Sequence, residues 1–376
     1  MSDSNKQTSE DALTKFDEAL LEEYESHSEF NKEFNVSKPL RFSSLMDENI
    51  SYGYESSWVL FSCERSVYYE ELDAWNSFQN ESKHLPLKDL IKSNDQRSLL
   101  HELVVAAKRR RIAPFVGAGM SLDCEFPLWG KALTEILSRM DDFDDSEVKE
   151  AIKEYDYLKA AQLLWEQDDT QLRNYIRGKF AEGEIPDGEV KGAVTKLPGF
   201  CAGCVITTNF DPVLEKVFKS FEGKMHGLVP DKFAQKLIEG DSCLLKLHGH
   251  FKDEDTYVFT QEQYDKAYGD PLDFKRALPR ALRQVFISHS LLFLGCSLDQ
   301  DKTLELFQTV VDEKAFDIPN HFAILPEPKS GETKAQKETR LLKLKIRPIW
   351  YPNGKHEFVG LYLDLLADAV AGRVSV

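Results

Sequence analysis

The chain has 376 residues, 42% of them hydrophobic, which suits a sizeable core and ~2–3 domains. A formal net charge of −17 excludes a general nucleic-acid-binding surface, and no apolar run of ~18 residues offers a membrane span. Six cysteines at this length do not make a disulfide scaffold, and the polar start M-S-D-S-N-K-Q-T-S-E-D lacks the apolar stretch of a secretory signal, so the expected location is cytoplasmic.

Residues 1–12 are expected to be disordered. Asp11–Phe34 has helical spacing, with Leu13, Phe16, Leu20, Leu21 and Tyr24 roughly on one stripe. Residues 38–80 are rich in aromatics, among them Trp58, Tyr68 and Trp75, and carry no motif assignable to chemistry. They suit core packing or a docking surface for assembly. Within them W-V-L-F-S-C is too short for periodicity to choose between strand and helix. Leu87–Arg111 reads as largely helical and ends in Lys108-Arg109-Arg110-Arg111, where cations suit the helix dipole. A boundary near residue 95 separates an N-terminal region, 1–95, from a catalytic domain, 96–376.

Ile112–Val116 then reads as a strand running into a glycine turn, Gly117-Ala118-Gly119, and Ser121, with a helix from about Trp129. Such a unit places backbone N–H groups and a helix N-terminus where a phosphate can sit. The dinucleotide fingerprint G-x-G-x-x-G fails, because Leu122 stands at its third glycine. No strand candidate follows until Cys204, so 129–200 is expected to be a helical insertion over the cleft, too long for a simple crossover. Strands and helices then alternate. Strands are expected at Cys204–Thr208, Cys243–Leu247, Tyr257–Phe259, Leu291–Gly295, His321–Leu325 and Leu344–Ile349. Helices are expected at Pro212–Phe221, Leu272–His289, Thr303–Val311 and Phe358–Ala369. The class is α/β with a Rossmann-like parallel sheet and a mostly helical N-terminal region.

Ligands of open parallel sheets bind at the carboxyl ends of the strands. At those ends stand Thr207-Thr208-Asn209-Phe210-Asp211, Lys246-Leu247-His248-Gly249 and Gly295-Cys296-Ser297-Leu298. Taken singly, an Asp after a strand is often a helix cap and a lone histidine is often structural. Together with Gly117–Ser121 they form one ordered set on one edge.

That set, G-A-G-M-S, T-T-N-F-D, K-L-H-G and G-C-S-L, resembles the sirtuins over roughly residues 100–360. Sirtuins bind NAD and cleave its nicotinamide–ribose bond. The resemblance implies that Gly117, Ala118, Gly119, Ser121 and Thr208 hold the pyrophosphate and nearby ribose. It implies that Asn209 contacts the nicotinamide-side ribose or positions water, that Asp211 hydrogen-bonds the carboxamide, and that His248 is the general base. Gly295, Cys296 and Ser297 would line the adenosine half, and Tyr351 would meet the adenine.

The departures narrow the reading. Protein-deacylating sirtuins usually carry a four-cysteine zinc module after the His-Gly motif, and no cysteine lies between His250 and Tyr257. Their acyl-lysine-binding V-x-F-G-E strand is replaced by Y-V-F-T-Q-E-Q-Y, and Pro127-Leu128-Trp129 stands in place of an arginine-containing loop. Cys201-x-x-Cys204 has no partner pair and reads as buried thiols entering a strand. These features look like bacterial sirtuin-like NAD hydrolases of anti-phage defence. The resemblance then implies hydrolysis of NAD to nicotinamide and ADP-ribose, no zinc, and restraint by homo-oligomer assembly or by a partner such as a HerA-type ATPase. A protein deacylase or ADP-ribosyltransferase, and a non-catalytic NAD or ADP-ribose sensor, are the alternatives.

Overall fold

The computed structural model describes residues 15–43, 51–140, 144–299, 302–329 and 331–376, and the expected disorder of 1–12 lies outside them. The chain divides into two units, Met1–Leu85 and Pro86–Val376.

In the first unit α1 covers 15–25 and is followed by α2 (Ser28–Ser37), the antiparallel pair β1 (Leu40–Ser43) and β2 (Ser51–Tyr54), α3 (Ser56–Cys63) and α4 (Arg65–Lys83). W-V-L-F-S-C is thus helical. Tyr24, Phe30, Phe34, Phe61, Tyr68 and Leu72 form a small aromatic core. Its buried polar atoms are paired: Tyr68 Oη donates to Asn31 Oδ1 at 2.7 Å, and Asn31 Nδ2 donates to the Tyr24 carbonyl at 2.8 Å. Phe42, Tyr54 and Phe78 are exposed.

The second unit opens within α5 (Leu85–Ser93), whose first residue ends the first unit, and continues with α6 (Arg97–Lys108); residue 95, the expected boundary, lies in the turn between these helices. Then come β3 (Ile112–Val116), a 3-10 segment (Ala118–Cys124), α7 (Trp129–Leu137), α8 (Ser146–Lys153) and α9 (Tyr157–Lys179). The chain continues through β4 (Cys204–Thr207), α10 (Val213–Phe218), β5 (Gly223–His226), β6 (Val229–Asp231), α11 (Phe233–Glu239) and β7 (Cys243–Lys246). It ends with α12 (Gln261–Tyr268), α13 (Ala277–Ser288), β8 (Ser290–Leu294), α14 (Lys302–Asp312), β9 (His321–Pro326), α15 (Lys334–Lys343), β10 (Ile346–Tyr351) and α16 (Glu357–Val370).

The sheet order is β10-β9-β8-β3-β4-β7-β5-β6, parallel throughout except for the β5–β6 hairpin. β3, β4, β7 and β8 are buried along their whole length, as parallel strands covered on both faces must be. Side chains alternate across β3: Ile112 and Val116 enter one core layer, Ala113 and Phe115 the other. The strand order reverses at β3, whose neighbours are β4 and β8, so the crevice for a ligand opens above β3. The fold is α/β and Rossmann-like.

Two expectations are corrected. Tyr257–Phe259 is not a strand but a buried non-helical stretch. The sheet also gains β5 and β6, two short strands on its far edge. Among the described residues of 129–200 the chain holds α7, α8 and α9 followed by 3-10 turns, with no strand. α9 kinks at Asp168, whose backbone leaves the helical region while its carboxylate accepts the Gln171 N–H at 2.9 Å and restarts the helix. Arg173 and Arg177 tie α9 to Glu254.

Candidate active site

The loop after β3 owes its glycines to another loop. Gly117 N–H donates to the Leu294 carbonyl at 2.8 Å, and Gly119 N–H to the Gly295 carbonyl at 3.1 Å. A Cβ on Gly117 would sit 2.6 Å from the Gly295 oxygen. Gly117 is itself extended, at φ −96° and ψ 178°, so its need is for space and not for a left-handed conformation. Gly295 needs both: its φ is +66°, and a Cβ there would lie 2.6 Å from Met120 N. The turns after β3 and β8 are thus packed backbone to backbone.

Beside them β4 delivers T-T-N-F-D. Thr207 Oγ1 donates to the Val116 carbonyl at 2.7 Å and accepts the Asn209 N–H at 3.0 Å, which fixes where Asn209 leaves the sheet. Asn209 Nδ2 donates to the Gly117 carbonyl at 3.2 Å and to Ser121 Oγ at 3.1 Å. Asp211 Oδ1 accepts the Val213 N–H at 3.0 Å, a turn bond one residue ahead of the helix-cap position, which Pro212 occupies, and its carboxyl is buried beside Asn209. Burial pushes the Asp211 pKa up, opposed by Lys246, the Val213 N–H and Ser121. The pocket has a volume of about 20 Å³, with Ser121, Thr208, Asn209 and Asp211 as its polar side, Ala118 beside them, and Trp129 among the rings that close it. That is room for little more than one water.

Lys246, at the end of β7, has no exposed surface. Its ammonium donates to the carbonyls of Phe210 (3.2 Å) and Asp211 (2.6 Å) and to Glu215 Oε1 (2.9 Å). The turn carrying Asn209 and Asp211 is therefore clamped from below. Two residues on, His248 is buried and its Nε2 meets the Tyr264 hydroxyl at 2.7 Å. Burial pushes its pKa down to about 4, partly offset by the Thr208 backbone, so the ring is neutral at pH 7. Gly249 follows at φ +95°, where a Cβ would fall 2.4 Å from the Thr256 carbonyl oxygen. That accounts for the glycine of K-L-H-G.

His248 and Tyr264 open onto a second cavity of about 500 Å³. Glu154, Asp156 and Tyr157 from the insertion, and Lys302 and Glu305 of α14, also line it. Trp129 lines both cavities. Its ring lies 5.8 Å from the His248 ring, 5.9 Å from Phe210 and stacked on Phe259. So Ala118, Ser121, Thr208, Asn209 and Asp211 share one pocket, and His248 stands across Trp129 from them.

Gly295, Cys296 and Ser297 line neither cavity: Cys296 Sγ faces the Phe115 and Leu294 carbonyls, and exposed Ser297 gives its carbonyl to Lys337. Tyr351 is buried with its hydroxyl 3.0 Å from His356 Nδ1. Cys201 and Cys204 are buried. Cys201 is pushed up to about 12 by burial, and Cys204 is raised by hydrogen bonding to Cys243, its register partner on β7, so these are not reactive thiols. Among the described residues no group of three or more His, Cys, Asp or Glu could hold a metal ion, and no helix is long and apolar enough to cross a membrane.

Sequence reasoning named Lys246 only as part of K-L-H-G and gave neither it nor Tyr264 a role. Tyr264 is the last letter of Y-V-F-T-Q-E-Q-Y, and its helix was announced by T-x-x-Q: Thr260 and Gln263 form a reciprocal capping box.

Residues 203–349 match the SIR2-like domain family. A Bacillus subtilis protein named Defense-associated sirtuin 2 is 20% identical over 295 residues, which take in 74% of this chain and 28% of that protein. The chain thus spans about 28% of the length of that relative. Both comparisons agree with the sirtuin-like resemblance carried by the four motifs.

Proposed function

We propose that the chain is an NAD glycohydrolase acting in defence, cleaving NAD to nicotinamide and ADP-ribose. The observation that supports this most is the gathering of Ser121, Asn209 and Asp211 in one buried pocket at the carboxyl ends of β3 and β4, with neutral His248 at its threshold.

Nicotinamide leaves NAD as a neutral molecule from a cationic pyridinium, so little general-acid help is needed. The barrier lies in an oxocarbenium-like ribose, as in glycoside hydrolysis. Asp211 would hold the carboxamide, Asn209 would align ribose and water, and His248 would take a proton from water or a ribose hydroxyl. The inner pocket at about 20 Å³ is too small for the nicotinamide ring, so entry requires its aromatic wall, Trp129 first, to part. Binding energy spent on that opening and on twisting the ring serves the transition state. Control of so damaging an activity is assigned to self-assembly or to a partner chain such as a HerA-type ATPase.

The test is NAD consumption by the purified chain with products resolved by chromatography and no acyl peptide added. Nicotinamide and ADP-ribose are expected, with turnover falling at least ~100-fold in His248→Ala and in Asn209→Ala. Unchanged hydrolysis by the double variant would refute the site, and release of nicotinamide only with an acceptor protein would replace hydrolysis by protein modification. A chain inactive alone is assayed again with a HerA-type ATPase and DNA; continued silence, with NAD still bound, would make it a sensor.

A further inference from the structure

The turn after β8 is fastened by α15. Lys334, Lys337 and Arg340 recur every third residue along that helix and so lie along one face. Lys334 Nζ donates to Glu327 Oε1 at 2.7 Å, one residue beyond β9. Lys337 Nζ donates to the Ser297 carbonyl at 2.9 Å and to Asp299 Oδ1 at 2.7 Å. Arg340 Nη1 donates to the Leu298 carbonyl at 2.8 Å and to the Asp299 carbonyl at 3.3 Å. Its Nε and Nη2 form a fork with Glu332 at 3.0 and 2.9 Å. The Lys337 side chain is only 13% exposed, so its bonds are shielded from water as ordinary surface pairs are not.

The backbone of this turn requires such support. Leu298 is buried with φ at +55°, a left-handed conformation that a leucine keeps only where its surroundings impose it. In the same turn the Leu294 and Gly295 carbonyls receive the Gly117 and Gly119 N–H groups. The order of the glycine turn thus depends on that of the β8 turn. We propose that Lys337 and Arg340 are positioning residues for NAD binding: through the Ser297 and Leu298 carbonyls they fix the β8 turn, and through it the glycine turn after β3. Both cations have their charge answered, Lys337 by Asp299 and Arg340 by Glu332, and neither lines the two cavities described above. Their effect reaches the ligand through the backbone and not as phosphate contacts. Leu341 is the one buried residue of α15, so polar bonds carry most of the link between this helix and the turn.

This inference rests on the glycine turn being part of the NAD site, and binding titrations keep the two apart. The double variant Lys337→Met with Arg340→Met removes the donors and keeps apolar stems in their place. Its Kd for NAD, by calorimetry on the full chain, is expected to rise at least ~10-fold, as for the loss of one charge-assisted hydrogen bond. Hydrogen exchange read by mass spectrometry is expected to quicken in peptides covering Gly117–Met120 and to stay unchanged in β10. In turnover, KM follows Kd while kcat stays within ~2-fold, because no reacting group is displaced. Thr333→Ala is the control: it breaks the capping box of α15 without touching the β8 turn, and Kd is expected to stay within ~2-fold. NAD binding at wild-type strength in the double variant, or unchanged exchange at the glycine turn, overturns the proposal, and so does an equal loss in Thr333→Ala. If the double variant does not fold, Lys337→Met alone is held to the same two readouts, with a rise in Kd of at least ~3-fold. No NAD binding by the wild-type chain removes the site itself, and this proposal with it.

Discussion

Lys246 is the buried cation on which the T-T-N-F-D turn rests. A fully buried ammonium is tolerated only with its charge and donors answered, and Glu215 with the Phe210 and Asp211 carbonyls answer them. Replacing Lys246 with Met leaves the Asp211 carbonyl and the Glu215 carboxylate without this donor, while the Phe210 carbonyl keeps the Phe251 N–H at 3.3 Å. The expected cost is about 3 kcal/mol, read from urea melts. The same change removes a cation that lowers the Asp211 pKa, so the Asp211 carboxyl is expected to rise further, measurable by carbon NMR. A variant as stable as the wild type, with Asp211 unmoved, would show that the clamp is incidental. From the sequence, K-L-H-G points to His248 by position; nothing in it says that the lysine turns inward, because that depends on the carbonyls of a turn 35 residues earlier.

At the scale of elements, the strands legible in the sequence are the buried ones. I-A-P-F-V, C-V-I-T, C-L-L-K and S-L-L-F-L are apolar but for one terminal residue in the last three, because both faces are covered. G-K-M-H and V-P-D have no such signal: V-P-D is the exposed edge strand, where a proline is harmless, and G-K-M-H beside it is only alternately buried. The opposite error occurs at Y-V-F, which has strand composition but no neighbouring strand to pair with, and packs its rings around Phe210 instead. α15 was missed because only Leu341 of K-A-Q-K-E-T-R-L-L-K is buried. The site loops were legible as a set, but the reason for their glycines was not. Gly117 and Gly295 face each other, a contact between two turns that no local pattern encodes. Gly295→Ala combines a positive φ with a clash against Met120 N, and is expected to cost about 1–3 kcal/mol and to weaken NAD binding together with stability. Equilibrium unfolding and a binding titration on one sample check this; lost stability with intact NAD binding would detach the β8 turn from the site.

For the molecule as a whole, burial holds five histidines neutral. His226, His248 and His289 are pushed down to about 4, His321 to about 3 and His250 to about 2, desolvation being the largest cause in each. The unfolded chain binds protons at these rings near pH 6.5, the folded chain only well below it. Stability is therefore fully present above about pH 6.5 and drains away as pH falls toward 4, each ring costing up to about 1.4 kcal/mol per pH unit. The melting temperature is expected to be level from pH 7 to 8 and to fall steeply between about 6.5 and 4; a level curve down to pH 5 would show the histidines to be solvated.

The central place of β3 has a consequence in time. Its partner on one side is held by the Thr207–Val116 bond across 91 residues, and on the other the Cys296–Phe115 contact spans 181. Contacts so distant along the chain form late, because the loop entropy must be overcome before they contribute. During synthesis the glycine turn emerges long before the β8 turn that packs on it. The glycine turn cannot seat on its partner carbonyls, those of Leu294 and Gly295, until that later turn has been made, so a nascent fragment carries the motif without the backbone that holds it in place.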